Sequence, residues 1–519
     1  MRPLLIVTLA ILLISVPISA PRAAETVVAA LPEEPAGLDP HLYFDPAAST
    51  FIFPCYQRLV GFKPGGTEPE PELALTWRIS DDGLLYTFVL RQGQVFSDNR
   101  PVNAETVRAS FQRALGLGRV QRSQFPTLAD IQILGPCTIR FVLTRQTPDF
   151  VHALASSAGS IVSPGASEQT PGYLEKNTLG SGSYTLRSWE PGREIVLSVR
   201  EDLAGRPAIE RFVGRFEASP AGRLEMVLLG QADAALKLDP DQSARLEADP
   251  GTDLVVTPVL KTRLLALNCR RPWLDRPEAR RALALAIDRH ELPSALPASS
   301  YTNQTAPLPR GMWGVRTDMA APRYDSLEAR AALDRIGRPD RELVLVVADT
   351  PARSRDEARI IVNHLEAVGL KVKTAACPED RFETALKAGE FDLALVWRRS
   401  RLGDPQTYLL ELLSSDRPGG PEGNTAFYAN PVVDDLLRRA GSEKRPSPRL
   451  RLFERVQKTA VEDTPYVFFY QLNELAGISK WIGGADRNPL RPLVLPLGRM
   501  TKAPPREEEL EDDPFLLWY

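Results

Sequence analysis

Apolar and polar side chains alternate through LLYTFVLR from Leu84, the pattern of a strand with one buried face. SDNRP then makes a turn. Asn103 is placed to cap a helix over AETVRASFQRALGLG, with Glu105 in the first turn, where the helix dipole favours an acid. Alternation returns in TIRFVL (Thr138 to Leu143). YTLRSW (Tyr184 to Trp189) and EIVLSVR (Glu194 to Arg200) flank EPGR, which signals a hairpin. Ahead of all these, an apolar strand from Thr26 to Ala30 enters the Pro-rich turn PEEPAGLDPHLY. The first half is therefore expected to hold antiparallel strands with inserted helices.

The second half changes period. RPEARRALALAIDRHEL (Arg276 to Leu292) has the spacing of an amphipathic helix. ELVLVVA (Glu342 to Ala348), KVKTAA and FDLALVW (Phe391 to Trp397) read as strands. The helical patterns RDEARIIVNHLEAVG and PEDRFETALKAGE lie between them. Strand–helix–strand–helix–strand with short links predicts right-handed crossovers and a parallel sheet. Ligands of such sheets bind beyond the carboxyl ends of the strands, so the strand ending at Trp397 delivers RRSRLGDP (Arg398 to Pro405) to a site. Three arginines within four residues beside a tryptophan suit an anionic or carboxylate-bearing ligand.

The N-terminus, MRPLLIVTLAILLISVPISAPRAA, has a positive end, an apolar run and small residues, which is the plan of a cleaved secretory signal with its cut near Ala23 or Ala24. Pro17 and Arg22 leave the run short for a membrane span. Export permits disulfides, and Cys55, Cys137, Cys269 and Cys377 allow three full pairings or none. With 519 residues, more than one domain is expected. Lys and Arg number 63 against 66 Asp and Glu, a balance that disfavours nucleic acid as a partner. The tail PREEELEDDPFLLWY (Pro505 to Tyr519) is acidic, then aromatic, and reads as a flexible solvated segment.

No nucleophile elbow, zincin helix or phosphate loop occurs. GSGSY (Gly180 to Tyr184) reads as a tight turn into the following strand. The four histidines show no metal spacing, and neither a metal nor a cofactor is expected. His41, in the LDPH turn, is kept as a binding candidate together with nearby Tyr43.

Five segments, in order, carry a resemblance. They are ELALTWRISDDGLLYTFVLRQGQVFSDNRPVNAETVRASFQRAL from Glu72, LGSGSYTLRSWEPGREIVLSVREDLAG from Leu179, LALNCRRPWLDRPEARRALALAIDR from Leu265, GEFDLALVW…GDPQTYL from Gly389 and NTAFYANPVVDDLL from Asn424. The chain resembles the family 5 extracellular solute-binding proteins, the peptide-, dipeptide- and nickel-binding components of ABC importers. The resemblance implies an α/β, bilobed periplasmic-binding-protein fold (type II, cluster C-like) with mixed sheets and a hinge between lobes. It further implies a monomeric, periplasmic receptor without catalysis, which hands a small molecule or short peptide to an inner-membrane permease. Its expected layout is a signal over 1–24, lobe I over 25–262 with an inserted subdomain at about 60–178, lobe II over 263–479, a return to lobe I over 480–504 and a tail over 505–519. A secreted hydrolase or a periplasmic ligand sensor on the same body are the alternatives.

Peptide-binding members of that family grip the free amino terminus with an Asp four residues before the Pro of the strand-end loop. Counting back from Pro405 reaches Arg401 instead, and an arginine repels an ammonium group. The ligand-binding candidates are Trp397, Arg399, Arg401, Asp404, Arg263, His41 and Tyr43. Of these, Arg263, Arg399 and Arg401 are expected to make the cleft more positive than usual.

Overall fold

The computed structural model describes residues 25–117, 124–319 and 321–503; the signal-like segment and the C-terminal tail lie outside the described residues. Strand β1 (Thr26–Leu31) starts the chain and runs into the helix Pro46–Cys55, which Asp45 caps by accepting from the Ala48 amide. A small hairpin, β2 (Val60–Phe62) and β3 (Pro69–Pro71), follows. Next come β4 (Ala74–Ile79), β5 (Leu85–Leu90), β6 (Leu128–Gly135) and β7 (Thr138–Leu143). They form an antiparallel sheet in the order β4-β5-β7-β6. The helix Ala104–Leu117 packs on it, and the Asn103 side chain accepts from the Thr106 amide as a cap should. Phe88, Phe111, Phe141 and Phe150 meet edge to face or tilted in the core between them.

β8 (Tyr184–Glu190), β9 (Glu194–Val199), β10 (Arg211–Phe216) and β11 (Ala234–Leu238) belong to a larger sheet that also contains β1. Gly180 and Gly182, in the turn before β8, lie against Pro54 and Cys55. A Cβ at either would stand 2.1–2.3 Å from a carbonyl oxygen, so the turn packs only with glycine there.

The sheet is completed by β12 (Thr252–Leu267), β13 (Tyr301–Asn303), β14 (Leu343–Ala348), β15 (Val372–Cys377), β16 (Leu393–Arg399) and β17 (Tyr466–Ser479). Its order is β15-β14-β16-β12-β17-β11-β1-β10-β9-β8, with β13 on β17. As the crossover pattern requires, β14 is parallel to both β15 and β16. The helices Arg353–Ala367 and Glu379–Ala388 make the connections. The expected helix Arg276–Leu292 is shorter, Pro277–Ala286. Ile287 turns to extended backbone, yet it and Leu292 remain in the core and so keep the apolar spacing alive beyond the helix end.

Two long strands tie the halves together. β12 and β17 pair antiparallel from Thr252↔Ser479 to Ala266↔Tyr466, but the register breaks between Pro258 and Thr262 and again after Arg263. On one side of the break β17 pairs with β11; on the other, β12 pairs with β16. The fold is therefore a bilobed α/β body with mixed sheets, in which two long shared strands lose register over an irregular stretch at residues 258–264. All four cysteines are free thiols. No helix among the described residues is long and apolar enough to cross a membrane.

Candidate functional site

A cavity of about 710 Å³ opens where β12 loses its register. Ser49 and Phe53 wall it from the first helix, and Phe44 from the turn just before it. Lys261 and Asn473 come from the shared strands, Arg399 to Leu402 from the end of β16, and Leu490 to Val494 from the returning chain. Arg399 and Arg401, which the sequence placed after the β16 strand, line this cavity.

The register sets the chemistry of one wall. Lys261 stands opposite Arg399, and Arg263 opposite Trp397. Residues two apart on a strand share a face, so these four form one cross-strand group. The Lys261 ammonium lies 4.8 Å from the centre of the Trp397 ring, and the Arg263 guanidinium 4.9 Å. Trp397 is itself fixed edge-on against Tyr470 at 5.7 Å. Burial, then Arg399 and Arg263, push the Lys261 pKa down. Neither Lys261 nor Arg399 has a carboxylate within 4.0 Å among the described residues, which leaves two neighbouring cations without a counter-charge.

Other candidates have partners of their own. Arg263 is buried: it donates from Nε to Glu357 Oε2 at 2.8 Å and from Nη2 to Ser354 Oγ at 3.1 Å. Its charge is neutralised inside the lobe, contrary to the expectation that it adds to the positive cleft. Arg401, 77% exposed, pairs with Glu422. Asp404 is buried and caps the helix Pro405–Leu413, accepting from the Thr407 amide at 2.7 Å. Its second oxygen sits 3.4 Å from His152 Nδ1, and burial raises its pKa. Arg398, unassigned from sequence, is also internal and donates to the Pro421 and Glu411 carbonyls at 2.5 and 3.0 Å.

His41 is buried away from the cavity lining. One ring nitrogen meets the Ser160 carbonyl at 3.0 Å and the other Arg113 at 2.9 Å; burial and Arg113 push its pKa down to about 4. Tyr43 lays its ring over Gly37, and burial raises its hydroxyl pKa. Its neighbour Phe44, rather than Tyr43, reaches the cavity. Sequence reasoning missed Phe44, Phe53, Lys261 and Arg491. Lys261 alone carried a signal, since pairing its strand with FDLALVW sets it beside Arg399. Among the described residues no cluster of His, Cys, Asp and Glu is arranged to hold a metal.

Residues 68–420 match the model of the bacterial extracellular solute-binding proteins, family 5 middle region. The chain is 29% identical over 479 residues to the probable D,D-dipeptide-binding periplasmic protein DdpA of Escherichia coli K12, covering 90% of this chain and 93% of that one. It is 26% identical over 458 residues to the glutathione-binding protein GsiB of Escherichia coli, covering 86% and 88%. Among solved structures, HbpA2 from Haemophilus parasuis superimposes with a TM-score of 0.84 at 24% identity, covering 92% of this chain and all of that one. The murein tripeptide-binding protein MppA in its unliganded open form also gives 0.84, at 20% identity, covering 93% and 98%. The chain belongs to the family 5 bacterial extracellular solute-binding proteins. It is a solute-binding component of an ABC importer, in a family of binding proteins rather than enzymes.

Proposed function

We propose that this protein is exported through a cleaved signal, works as a periplasmic monomer, and captures a peptide-like solute bearing a carboxylate, which it passes to an inner-membrane permease. Ligand closes the lobes only by binding the closed form better than the open one, so it must touch both. We take lobe I as 25–262 with 480–504, carrying the insertion at about 60–178, and lobe II as 263–479; the break in β12 supports a hinge there. The observation that carries the ligand class is the Lys261–Arg399 pair, two cations side by side on the cavity wall with no acid of their own. Arg401 at the position of the family's amine-binding Asp supports a solute that lacks a free amino terminus. DdpA and GsiB, which by name bind a D,D-dipeptide and glutathione, support the peptide-like body.

Calorimetric titration with N-acetyl-D-alanyl-D-alanine and with its C-terminal amide tests this reading. The acid is expected to bind about ten-fold or more tightly than the amide, with the advantage lost in Arg399→Gln. Equal affinities, or an advantage untouched by Arg399→Gln and Lys261→Gln together, would overturn it. Export has a separate check: intact mass of protein from the periplasmic fraction should correspond to a chain starting just after Ala23 or Ala24, and a full-length mass would reject cleavage.

A further inference from the structure

Arg491 lines the same cavity from the lobe I side, on the returning chain. Its guanidinium lies 3.9 Å from the centre of the Phe53 ring and 5.2 Å from that of Phe62. No carboxylate lies within 4.0 Å of it among the described residues. The nearest acid that acts on it, Glu72, is already bound by Arg58 at 2.7 Å. Two arginines thus share one carboxylate, and burial with Arg58 nearby pushes the Arg491 pKa down to about 9. A second cavity of about 470 Å³ adjoins the first through Phe53, Phe62, Arg491 and Val494. Two further acids line the second cavity: Glu70, paired with Arg499 at 2.8 Å, and Asp486, which makes no ion pair with Arg491 within 4.0 Å. A half-buried cation that is stacked on aromatic rings, with its nearest acid already engaged by another arginine, is best balanced by a ligand that supplies the missing charge.

We infer that Arg491 is a second anion anchor, at the junction of the two cavities, and that the solute carries two acidic groups, one held by Lys261 and Arg399 and the other by Arg491. This rests on the carboxylate reading of the cleft and extends it. Arg399 lies in lobe II and Arg491 on the returning chain of lobe I, with Lys261 at the crossing between the lobes, so a solute charged at both ends spans from one lobe to the other. A solute charged at one end engages a single wall and gains less from closure. The guanidinium fork can take a carboxylate or a phosphate by two parallel N–H···O bonds, while the rings on which it stacks hold its plane.

The test uses two matched probes, N-succinyl-D-alanyl-D-alanine, with a carboxylate at each end, and N-butyryl-D-alanyl-D-alanine, with one. Titrated into the full mature chain, the succinyl compound is expected to bind at least ten-fold more tightly. Arg491→Gln should abolish that advantage and leave butyryl affinity within about two-fold, while Arg491→Lys, which keeps the charge, retains much of it. Arg399→Gln should weaken both probes alike. An advantage absent from the wild type, or surviving in Arg491→Gln, overturns the second anchor and leaves the first standing. Binding of neither probe, or of both unaffected by Arg399→Gln, overturns the anionic cleft and this inference with it. Thermal melts of the unliganded variants show whether a lost advantage is a folding defect, and Arg491→Lys then carries the comparison.

Discussion

Arg263→Ala is expected to lower the stability of the protein by about 3–5 kcal/mol, because it leaves a buried carboxylate without its principal counter-charge. Glu357 receives the Arg263 Nη2 at 2.7 Å, the Tyr470 hydroxyl at 2.5 Å and Arg353 Nε at 3.1 Å, and its side chain is 3% exposed. Arg353 in turn donates to the Tyr470 hydroxyl at 2.6 Å. Removing Arg263 strands Glu357 with one half-exposed cation, and also withdraws a donor from Ser354 and support from the face of Trp397. Urea titration should show the loss as a lower midpoint with little change in slope. Replacing both charges, as in Arg263→Met with Glu357→Gln, should cost less than Arg263→Ala alone, since no uncompensated charge then stays buried. A single variant within about 1 kcal/mol of wild type would show that Glu357 is solvated in the folded protein, and would reopen Arg263 as a cleft residue.

The parallel part of the fold was legible because its strands and helices differ in period. The runs ending at Ala348 and Trp397 are short and apolar, and the helices between them repeat at three and four residues. The two strands that matter most for the site gave no such signal. β12 contains Pro258, Lys261 and Arg263, and β17 is almost wholly buried over Tyr466–Gln471. A strand covered on both faces loses alternation, and a register break erases what is left. The lobe boundaries at 262/263 and 479/480 come from the family resemblance, and the register break near them is visible only in the pairing of β12 with β17.

The site was legible in the same uneven way. Arg399 and Arg401 were picked out because a topological rule places the end of a parallel strand at a binding crevice, and both line the cavity. Arg263 was over-read: its partner Glu357 lies 94 residues further along, and nothing local marks that pairing. Asp404, a ligand-binding candidate in the sequence, is buried, caps a helix and faces His152 from another part of the chain. Arg491 could not be found at all, since its meaning comes from Phe53 and Phe62, more than 400 residues earlier. Charge counts in sequence overstate free charge wherever folding supplies a hidden partner.

Acid is expected to destabilise the protein well above the pH at which its carboxylates titrate, through two buried histidines. His152 is held neutral by burial and by Arg449, with its pKa near 3, and His41 by burial and Arg113, near 4, against 6.5 for the unfolded chain. Both folded values lie below the unfolded one, so the unfolded state takes up protons first and stability falls as pH drops below 6.5. Between pH 7 and 5 each histidine should cost about 2 kcal/mol, and the pair about 4. Asp404, which faces His152 together with Asp149, works in the opposite sense: its raised pKa lets the folded chain bind a proton before the unfolded chain does, which returns part of the loss at the acid end. Arg449 and the Thr67 carbonyl complete the surroundings of His152, and Asp39 and the Ser160 carbonyl those of His41. Urea midpoints measured from pH 7.5 to 4.5 should fall steadily below pH 6.5. The slope should be about halved in His152→Gln, which keeps a donor for Thr67 but cannot titrate. A midpoint flat down to pH 5, or a slope unchanged by His152→Gln, would show that the ring binds its proton in the folded state, beside Asp404.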